Sequence, residues 1–224
     1  MNDQPACIDW RDDKIPVSRQ FDDPYFSLDD GLAETRYVFL AGNDLPSRFT
    51  GDFRIGELGF GTGLNFLVAW QAWEDAGATG RLIFTSFEAF PMTPADMARA
   101  LAAFPQVAEK AAQMLAAIER GGWQHDFGSV TLNVVIGDVR DTLPASDLQA
   151  DAWFLDGFSP AKNPEMWGPD VMTEVARHTA PHGTAATYTA AGHVRKGLID
   201  AGFDVERIKG YGRKRHMTRA RITG

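Results

Sequence analysis

Residues 53–66 read Phe-Arg-Ile-Gly-Glu-Leu-Gly-Phe-Gly-Thr-Gly-Leu-Asn-Phe, and this stretch decides the fold class. A short apolar run ends near an acid, Glu57, and glycines follow at alternate positions from Gly59 to Gly63. A helical pattern then begins at Leu64. Glycine permits a tight strand-to-helix turn with positive φ and lets a ligand approach the backbone closely. The stretch therefore predicts a strand, a ligand-binding turn and a helix; the alternative is a glycine-rich loop with only a turning role.

The spacing of the glycines separates two kinds of cofactor. The dinucleotide fingerprint G-x-G-x-x-G needs its third small residue where this chain has Leu64, which argues against a dehydrogenase. The pattern present, E-x-G-x-G-x-G, resembles motif I of the S-adenosylmethionine-dependent methyltransferases. In that family the acid and the turn hold the methionine end of the cofactor. The resemblance assigns to the cofactor turn Glu57, Gly59, Phe60, Gly61, Thr62 and Gly63.

Strand-like and helix-like patterns alternate after about residue 50. Strands are expected over residues 54–58, 82–88, 130–136, 150–155, 183–188, 203–209 and 217–222. Helices are expected over residues 32–40, 64–75, 93–104, 106–120, 141–143, 169–178 and 192–201. The loop between the last two strands is too short for a crossover helix, so they should form an antiparallel hairpin.

This order of elements predicts an α/β fold with a Rossmann-like, mostly parallel, doubly wound sheet that ends in an antiparallel hairpin. It matches the arrangement of class I S-adenosylmethionine-dependent methyltransferases. We expect residues 1–50 to be an irregular N-terminal extension packed on the core. Residues 51–224 should form the methyltransferase domain.

Composition is that of one soluble globular unit, with 224 residues, 44% of them hydrophobic and 23% charged. Cys7 is the single cysteine, which excludes an internal disulfide framework and suits a reducing compartment. No apolar run approaches the roughly 18 residues that a membrane span needs, and the start of the chain lacks a signal-peptide pattern. The five histidines have no metal-ligand spacing. We therefore expect a cytoplasmic protein with no membrane contact and no metal site.

Charge is distributed unevenly along the chain. The net charge is −8, yet residues 205–224 carry +6, so the preceding residues carry −14. The basic side chains of this tract are Arg207, Lys209, Arg213, Lys214, Arg215, Arg219 and Arg221. A basic tract on an acidic body is typical of a local polyanion site. The alternative is a solvated edge strand, where basic residues discourage pairing with other chains.

Four predicted strands end at or next to an acid, and ligands of doubly wound sheets bind beyond those ends. Besides Glu57, these acids are Glu88, Asp138 and Asp156. A carboxylate at Glu88 can accept hydrogen bonds from ribose hydroxyls. By resemblance to methyltransferases, Asp138 would meet the adenine amino group with Val139 beside the ring. Any one acid could instead be a helix N-cap, but four acids in register with a glycine turn favour a cofactor site.

Asp156 is the acid predicted to face the methyl acceptor. Methyl transfer is an in-line displacement at an already activated carbon, so the enzyme mainly supplies alignment. A carboxylate can accept a hydrogen bond from an amine acceptor and stabilise the ammonium that develops. Phe158, Tyr25 and Phe26 could wall the pocket and stack on a base, with core packing as the alternative.

The motifs in order resemble the methyltransferase domain of the MnmC family of bifunctional tRNA-modifying enzymes, across essentially the whole chain. The most specific is residues 151–164, Asp-Ala-Trp-Phe-Leu-Asp-Gly-Phe-Ser-Pro-Ala-Lys-Asn-Pro. The other matching segments are residues 17–27, 31–40, 59–67, 86–88, 190–195 and 210–215.

This resemblance implies methyl transfer from S-adenosylmethionine to the amine of 5-aminomethyl-2-thiouridine at the tRNA wobble position, giving 5-methylaminomethyl-2-thiouridine. It places Asp156 and Phe158 at the amine, as the catalytic residues. Near the acceptor or its phosphates it places Lys162 and Asn163. Tyr25 and Phe26 are expected to bind the substrate as aromatic walls of the pocket. We expect the anticodon stem-loop to contact Lys209, Arg213, Lys214 and Arg215.

The MnmC family usually continues into a flavin-dependent oxidase domain, whereas this sequence ends after the predicted hairpin. We therefore expect a stand-alone form that receives the aminomethyl nucleoside from a separate oxidase or another enzyme. Two alternatives remain at this point. One is an S-adenosylmethionine-dependent N-methyltransferase of another acceptor, and the other is a non-catalytic tRNA-binding partner.

Overall fold

The computed structural model describes residues 5–26 and 30–223, so residues 1–4, 27–29 and 224 of the predicted segments lie outside the described part. The main sheet of this described part has eight strands. They are β4 (Phe53–Leu58), β5 (Leu82–Glu88), β6 (Gln124–Asp126), β7 (Val130–Ile136), β8 (Ala150–Leu155), β9 (Thr179–Thr187), β10 (Phe203–Lys209) and β11 (His216–Ile222).

The strand order is β10-β11-β9-β8-β4-β5-β7-β6. The five strands β9, β8, β4, β5 and β7 are parallel. Strand β11 runs antiparallel to both β9 and β10, which closes the predicted hairpin. The α/β prediction is thus confirmed. The three-residue edge strand β6, antiparallel to β7, was not predicted.

Helices cover both faces of this sheet. They are α1 (Gly31–Thr35), α2 (Leu64–Asp75), α3 (Pro94–Leu101), α4 (Ala108–Arg120), α5 (Val139–Thr142), α6 (Pro169–Arg177) and α7 (Gly192–Asp200). Successive strand side chains point to opposite faces. Phe154 therefore packs in the layer that includes Phe66 of α2, and Trp153 in the layer that includes Val171 of α6. None of the helices in the described ranges is long and apolar enough to cross a membrane.

The N-terminal segment is more regular than the irregular extension that the sequence predicts. Strands β1 (Ile8–Arg11), β2 (Ile15–Ser18) and β3 (Asp23–Pro24) form a small antiparallel sheet. Helix α1 continues through a wide π-type turn over Arg36–Leu40. Asp23 Oδ2 accepts a hydrogen bond of 2.8 Å from the backbone N–H of Ser159, so this segment lies against the loop that follows β8. The division of the chain at residue 50 stays a prediction.

Candidate active site

The turn between β4 and α2 is built so tightly that two of its positions need glycine. Gly59 has φ +81° and Gly61 has φ +53°, a region that other residues rarely adopt. A Cβ on Gly59 would lie 3.2 Å from Gly157 Cα, and one on Gly61 would lie 3.2 Å from the Tyr25 ring. The turn is thus packed against the loop after β8 and against the N-terminal segment.

A cavity of about 500 Å³ opens beside this turn, at the carboxyl ends of the parallel strands. This volume is within the range of small-molecule sites. The predicted site residues that line it are Tyr25, Phe26, Gly59, Phe60, Gly61, Thr62, Glu88, Asp138, Val139, Asp156, Phe158, Asn163 and Lys214. The predicted site residues that do not line it are Glu57, Gly63, Lys162, Lys209, Arg213 and Arg215. The individual roles assigned to all of these residues stay predictions.

Glu88 is oriented by the backbone around it. Its Oε2 accepts a hydrogen bond of 3.0 Å from the N–H of Gly61, and its Oε1 accepts one of 2.8 Å from the N–H of Phe90. Burial raises the pKa of Glu88 above its usual value, and the backbone hydrogen bonds oppose that effect. Each carboxylate oxygen has a further lone pair, so Glu88 can still accept hydrogen bonds from hydroxyl groups in the cavity.

Asp138 combines two of the roles considered for it. Its Oδ1 accepts from the backbone N–H of Arg140 at 2.9 Å, which makes it the N-cap of the short helix α5. The Arg140 guanidinium also lies 2.6 Å from Asp138 Oδ2 and, as a hydrogen-bond donor, holds the pKa of that carboxyl below its usual value. Asp138, Val139 and Arg140 all line the cavity, so the residue that caps α5 is also part of the cavity wall.

Asp156 belongs to a buried hydrogen-bond network centred on Asn65. Asn65 Nδ2 donates to Asp156 Oδ2 at 2.7 Å and to Glu57 Oε1 at 2.8 Å. Asn65 Oδ1 accepts from Thr35 Oγ1 at 2.9 Å. Burial raises the pKa of Asp156 from 3.8 to about 6, although the Asn65 hydrogen bond acts in the opposite direction.

Glu57 lies beneath the cavity wall. Its side chain is fully buried, and its Oε2 has no hydrogen-bond partner within the described part of the chain. Burial raises the pKa of Glu57 well above its usual range. Sequence reasoning identified this acid but not Asn65, whose only signal is an amide in the otherwise apolar first turn of α2.

Aromatic rings form the wall next to Asp156. Phe158 stacks on Phe21 with ring centroids 4.7 Å apart, and Tyr25 meets Phe158 edge-on at 5.0 Å. Phe26 also packs edge-on against Phe104 at 5.0 Å, so its ring serves the core as well as the cavity. Phe21 was not anticipated from the sequence, because nothing in its local pattern shows which ring it will contact.

Lys214 crosses the cavity from the hairpin loop to the N-terminal segment. Its Nζ lies 2.7 Å from Glu34 Oε1 and 4.3 Å from the centre of the Tyr188 ring. The Tyr188 hydroxyl donates to the carbonyl of Gly157 at 2.8 Å. These contacts join the hairpin, α1 and the loop after β8 around the space in front of Asp156.

Some charges of the basic tract are neutralised by acidic side chains of the same chain. Arg219 lies 2.7 Å from Glu206, and Arg221 lies 3.4 Å from Asp44. Outside the tract, Lys162 donates to the carbonyl oxygen of Asp22. By contrast, the exposed side chains of Arg207, Lys209 and Arg215 make no ion pair with any described residue. Within the same residues, no group of three metal-ligating side chains is present.

Comparison with known proteins identifies the family. A family model for S-adenosyl-L-methionine-dependent methyltransferases matches residues 103–223. The chain belongs to this family. The methyltransferase therefore uses S-adenosyl-L-methionine as its cofactor.

Relatives of this chain carry the name tRNA 5-methylaminomethyl-2-thiouridine biosynthesis bifunctional protein MnmC, among them proteins from Stutzerimonas stutzeri and Ectopseudomonas mendocina. The one from Stutzerimonas stutzeri is 50% identical over 99% of this chain and 36% of its own length. The one from Ectopseudomonas mendocina is 52% identical over 95% of this chain and 34% of its own length. The methyltransferase thus spans about a third of the length of these curated relatives.

The methyltransferase is also similar to solved structures. A crystal structure of MNMC2 from Aquifex aeolicus matches with a TM-score of 0.77 and 28% identity, covering 100% of this chain and 72% of that one. Spermidine synthase from Thermotoga maritima matches with a TM-score of 0.54 and 11% identity, covering 98% of this chain and 70% of that one, so it shares the fold alone.

The residues around the cavity fit S-adenosyl-L-methionine. Because Gly59 and Gly61 have no side chain, a ligand can approach the backbone of the turn closely. The fixed carboxylate of Glu88 suits ribose hydroxyls, and Asp138 and Val139 lie where a base can meet a polar and an apolar group. Asp156 and Phe158 line another part of the same cavity.

Proposed function

We propose that this methyltransferase methylates the amine of 5-aminomethyl-2-thiouridine at the wobble position of tRNA, giving 5-methylaminomethyl-2-thiouridine. The observation that carries the proposal is the half-buried carboxylate of Asp156, which lies beside the glycine turn and under aromatic rings. The names of the MnmC relatives support the choice of acceptor.

Charge and shape in front of Asp156 suit a small amine attached to a base. Asp156 contributes a carboxylate to this side of the cavity, where the Glu34 carboxylate is paired with the Lys214 ammonium. The stacked rings of Phe21 and Phe158 and the edge of Tyr25 offer apolar faces to a pyrimidine. A carboxylate beside aromatic rings can accept a hydrogen bond from an amino group and attract the ammonium that forms on methylation.

Asp156 would act by orientation. When bound at the glycine turn, S-adenosyl-L-methionine would supply a methyl group activated by its sulfonium sulfur; transfer of that methyl to the amine nitrogen would leave the electron pair of the broken carbon–sulfur bond on sulfur. The carboxylate accepts an N–H hydrogen bond, which aims the nitrogen lone pair and stabilises the ammonium as it forms. One proton is released to solvent over the whole reaction, because the acceptor ammonium must lose it before the nitrogen lone pair can attack, and the methylated product is again an ammonium.

We infer that Lys209, Arg213 and Arg215 bind phosphates of the anticodon stem-loop; Lys214 can join them only after it leaves its ion pair with Glu34 at the cavity. Lys209 and Arg215 are exposed and make no ion pair with a described residue, which leaves their charges available. Phosphate contacts supply affinity and orientation, while the pocket supplies specificity. The aminomethyl nucleoside must arise from a reaction that removes the carboxymethyl group of a precursor. We assign that reaction to a separate oxidase or to another enzyme.

The proposal is tested with tRNA from cells that lack the wobble-uridine methylation step. The purified protein and S-adenosyl-L-methionine are incubated with this tRNA, and the nucleosides are analysed by mass spectrometry. Conversion of 5-aminomethyl-2-thiouridine to a product one methylene heavier is the expected result. Methylation of a protein or small-molecule amine in place of tRNA would make another acceptor the substrate. Cofactor binding without methylation of any acceptor would favour a non-catalytic tRNA-binding partner.

A further inference from the structure

Two tyrosines form an aromatic contact between the N-terminal segment and the hairpin loop. Tyr37 belongs to the π-type turn after α1, and Tyr211 belongs to the loop between β10 and β11. Their ring centroids are 5.8 Å apart, and the ring planes are tilted by 48°. The Tyr37 hydroxyl donates a hydrogen bond of 3.1 Å to the carbonyl oxygen of Lys209. The Tyr37 ring is therefore held in place from two directions.

The Tyr37 side chain is open to solvent although it is held in place. Its exposed fraction is 37%, and among the large hydrophobic side chains of the described residues only Ile199 is also exposed. Tyr211, by contrast, packs partly against the main core. Because the two rings are tilted and not stacked, Tyr211 leaves ring surface of Tyr37 uncovered. A fixed and exposed aromatic ring can take up a flat partner without the cost of ordering a mobile side chain.

This aromatic contact lies at the junction that also bounds the cavity. Glu34 of α1 and Lys214 of the hairpin loop line the cavity and form an ion pair of 2.7 Å. Phe39, in the same π-type turn as Tyr37, lines the cavity as well. The two segments thus meet once at the cavity, through the ion pair, and once through the rings of Tyr37 and Tyr211. A polymer with one unit in the cavity would have its neighbouring units near these rings.

Basic side chains accompany the two rings. Arg36 directly precedes Tyr37, and Lys209 and Arg215 lie at either end of the hairpin loop. All three side chains are exposed and make no ion pair with a described residue. Cations alone fit any polyanion, whereas a fixed aromatic ring among them fits a polyanion that carries flat bases. Stacking rings combined with basic side chains are typical of surfaces that bind single-stranded nucleic acid.

We propose that the Tyr37 ring stacks on the unpaired RNA base next to the nucleotide that enters the cavity, while Arg36, Lys209 and Arg215 contact the adjoining phosphates. A base that leaves its stack deprives the neighbouring base of a partner, and an aromatic ring near the cavity replaces that partner. This inference deepens the proposed function and rests on it for the identity of the RNA, the anticodon stem-loop. It adds a contact that holds the loop open beside the wobble position.

Tyr37→Leu tests the stacking, because leucine keeps an apolar side chain beside Tyr211 and removes the ring. The probe is an unmodified anticodon stem-loop RNA, and its affinity is measured by fluorescence anisotropy. We expect the variant to bind this RNA roughly 5- to 100-fold more weakly than the wild type. The salt dependence of binding should not change, because the ring carries no charge, whereas Arg36→Ala should reduce it by about one ion. The affinity for S-adenosylhomocysteine should stay at the wild-type value.

RNA without the base next to the wobble uridine identifies the stacked partner. Two such RNAs are made, with an abasic nucleotide on the 5′ side or on the 3′ side of that uridine. For one of them, the wild type should lose about as much affinity as Tyr37→Leu loses for intact RNA, and the two changes together should cost no more than either alone. Such non-additivity measures the direct contact between ring and base. Additive losses with both RNAs, or an unchanged affinity of Tyr37→Leu for intact RNA, would overturn the inference.

Two control variants separate stacking from other effects. Tyr37→Phe keeps the ring and loses only the hydroxyl, so its RNA affinity should stay within about threefold of wild type. Ile199→Ala removes the other exposed hydrophobic side chain, on α7, and should bind RNA as the wild type does. An equal loss in Ile199→Ala and Tyr37→Leu would overturn the inference. The probe RNA has no aminomethyl group, so a wrong acceptor assignment would show separately, as lack of tRNA conversion by the wild type.

Discussion

Asp156→Asn should make the protein more stable at neutral pH while it removes most of the turnover. In the folded state the pKa of Asp156 lies near 6, against 3.8 for an ordinary aspartate, because burial disfavours its charged form. Below both values the carboxyl is neutral in the folded and unfolded states and costs nothing. Between these two pKa values the folded state holds the proton of Asp156 more tightly than the unfolded state does. The free energy of unfolding therefore falls as pH rises from about 4 to about 6. Asparagine carries no charge and avoids that cost.

The size of the effect follows from the same two values. Each pH unit between them corresponds to about 1.36 kcal/mol, so the shift from 3.8 to about 6 amounts to about 3 kcal/mol above pH 6. The carboxyl is partly accessible from the cavity, and the amide must form new contacts with Asn65. We therefore expect a gain of about 1–3 kcal/mol in unfolding free energy at pH 7.5.

Urea unfolding of the wild type and Asp156→Asn at a series of pH values measures this effect. The stability difference should be largest above pH 6 and should shrink toward zero near pH 4. Glu119→Gln, which neutralises an exposed acid of α4 outside the cavity, is the control for a general loss of negative charge. A difference that does not change with pH, or an Asn variant less stable than the wild type at neutral pH, would refute the reasoning.

Three further predictions concern the cofactor and the tRNA. Gly61→Ala should weaken cofactor binding at least tenfold in calorimetry, because φ +53° and a Cβ 3.2 Å from the Tyr25 ring both oppose it; unchanged affinity would mean that the turn adapts. Glu88→Gln should weaken cofactor binding by about 10- to 100-fold, since a charged acceptor of hydrogen bonds is lost; an effect on turnover alone would contradict the ribose assignment. Arg215→Glu should lower tRNA affinity and reduce its salt dependence by about one ion, unlike the control Arg120→Glu at the end of α4; equal effects of both would remove the phosphate-contact assignment.

The fold could be predicted largely because its signals are local. The glycine turn and the alternation of apolar strands with helices specify a parallel sheet, and the short loop at residues 210–215 leaves only a hairpin for the last two strands. Strand β6 escaped prediction because its three residues, Gln-His-Asp, have no apolar alternation and pair only because β7 offers an edge. Strands β1 and β2 have four residues each, and their turn depends on Asp12 and Asp13 at positive φ.

The site was predictable only in part because its function depends on contacts between distant segments. The strand-end rule located Glu88, Asp138 and Asp156 at the cavity. It could not show that Asn65 would meet partners 30 and 91 positions away. Nor could the basic tract show that Lys214 would turn inward to Glu34, since an ion pair across 180 positions leaves no local pattern.

The residues that line the cavity lie far apart in the sequence, and this separation affects the order in which parts of the protein fold during synthesis. The glycine turn and Asp156 are synthesised well before Lys214, which completes the wall opposite Asp156. Contacts of such long separation form late, because a large loop must close before they contribute. A nascent chain on the ribosome can therefore fold its cofactor side early but cannot enclose an acceptor until the hairpin β10–β11 docks. Newly made protein would bind its cofactor before it could select what to methylate.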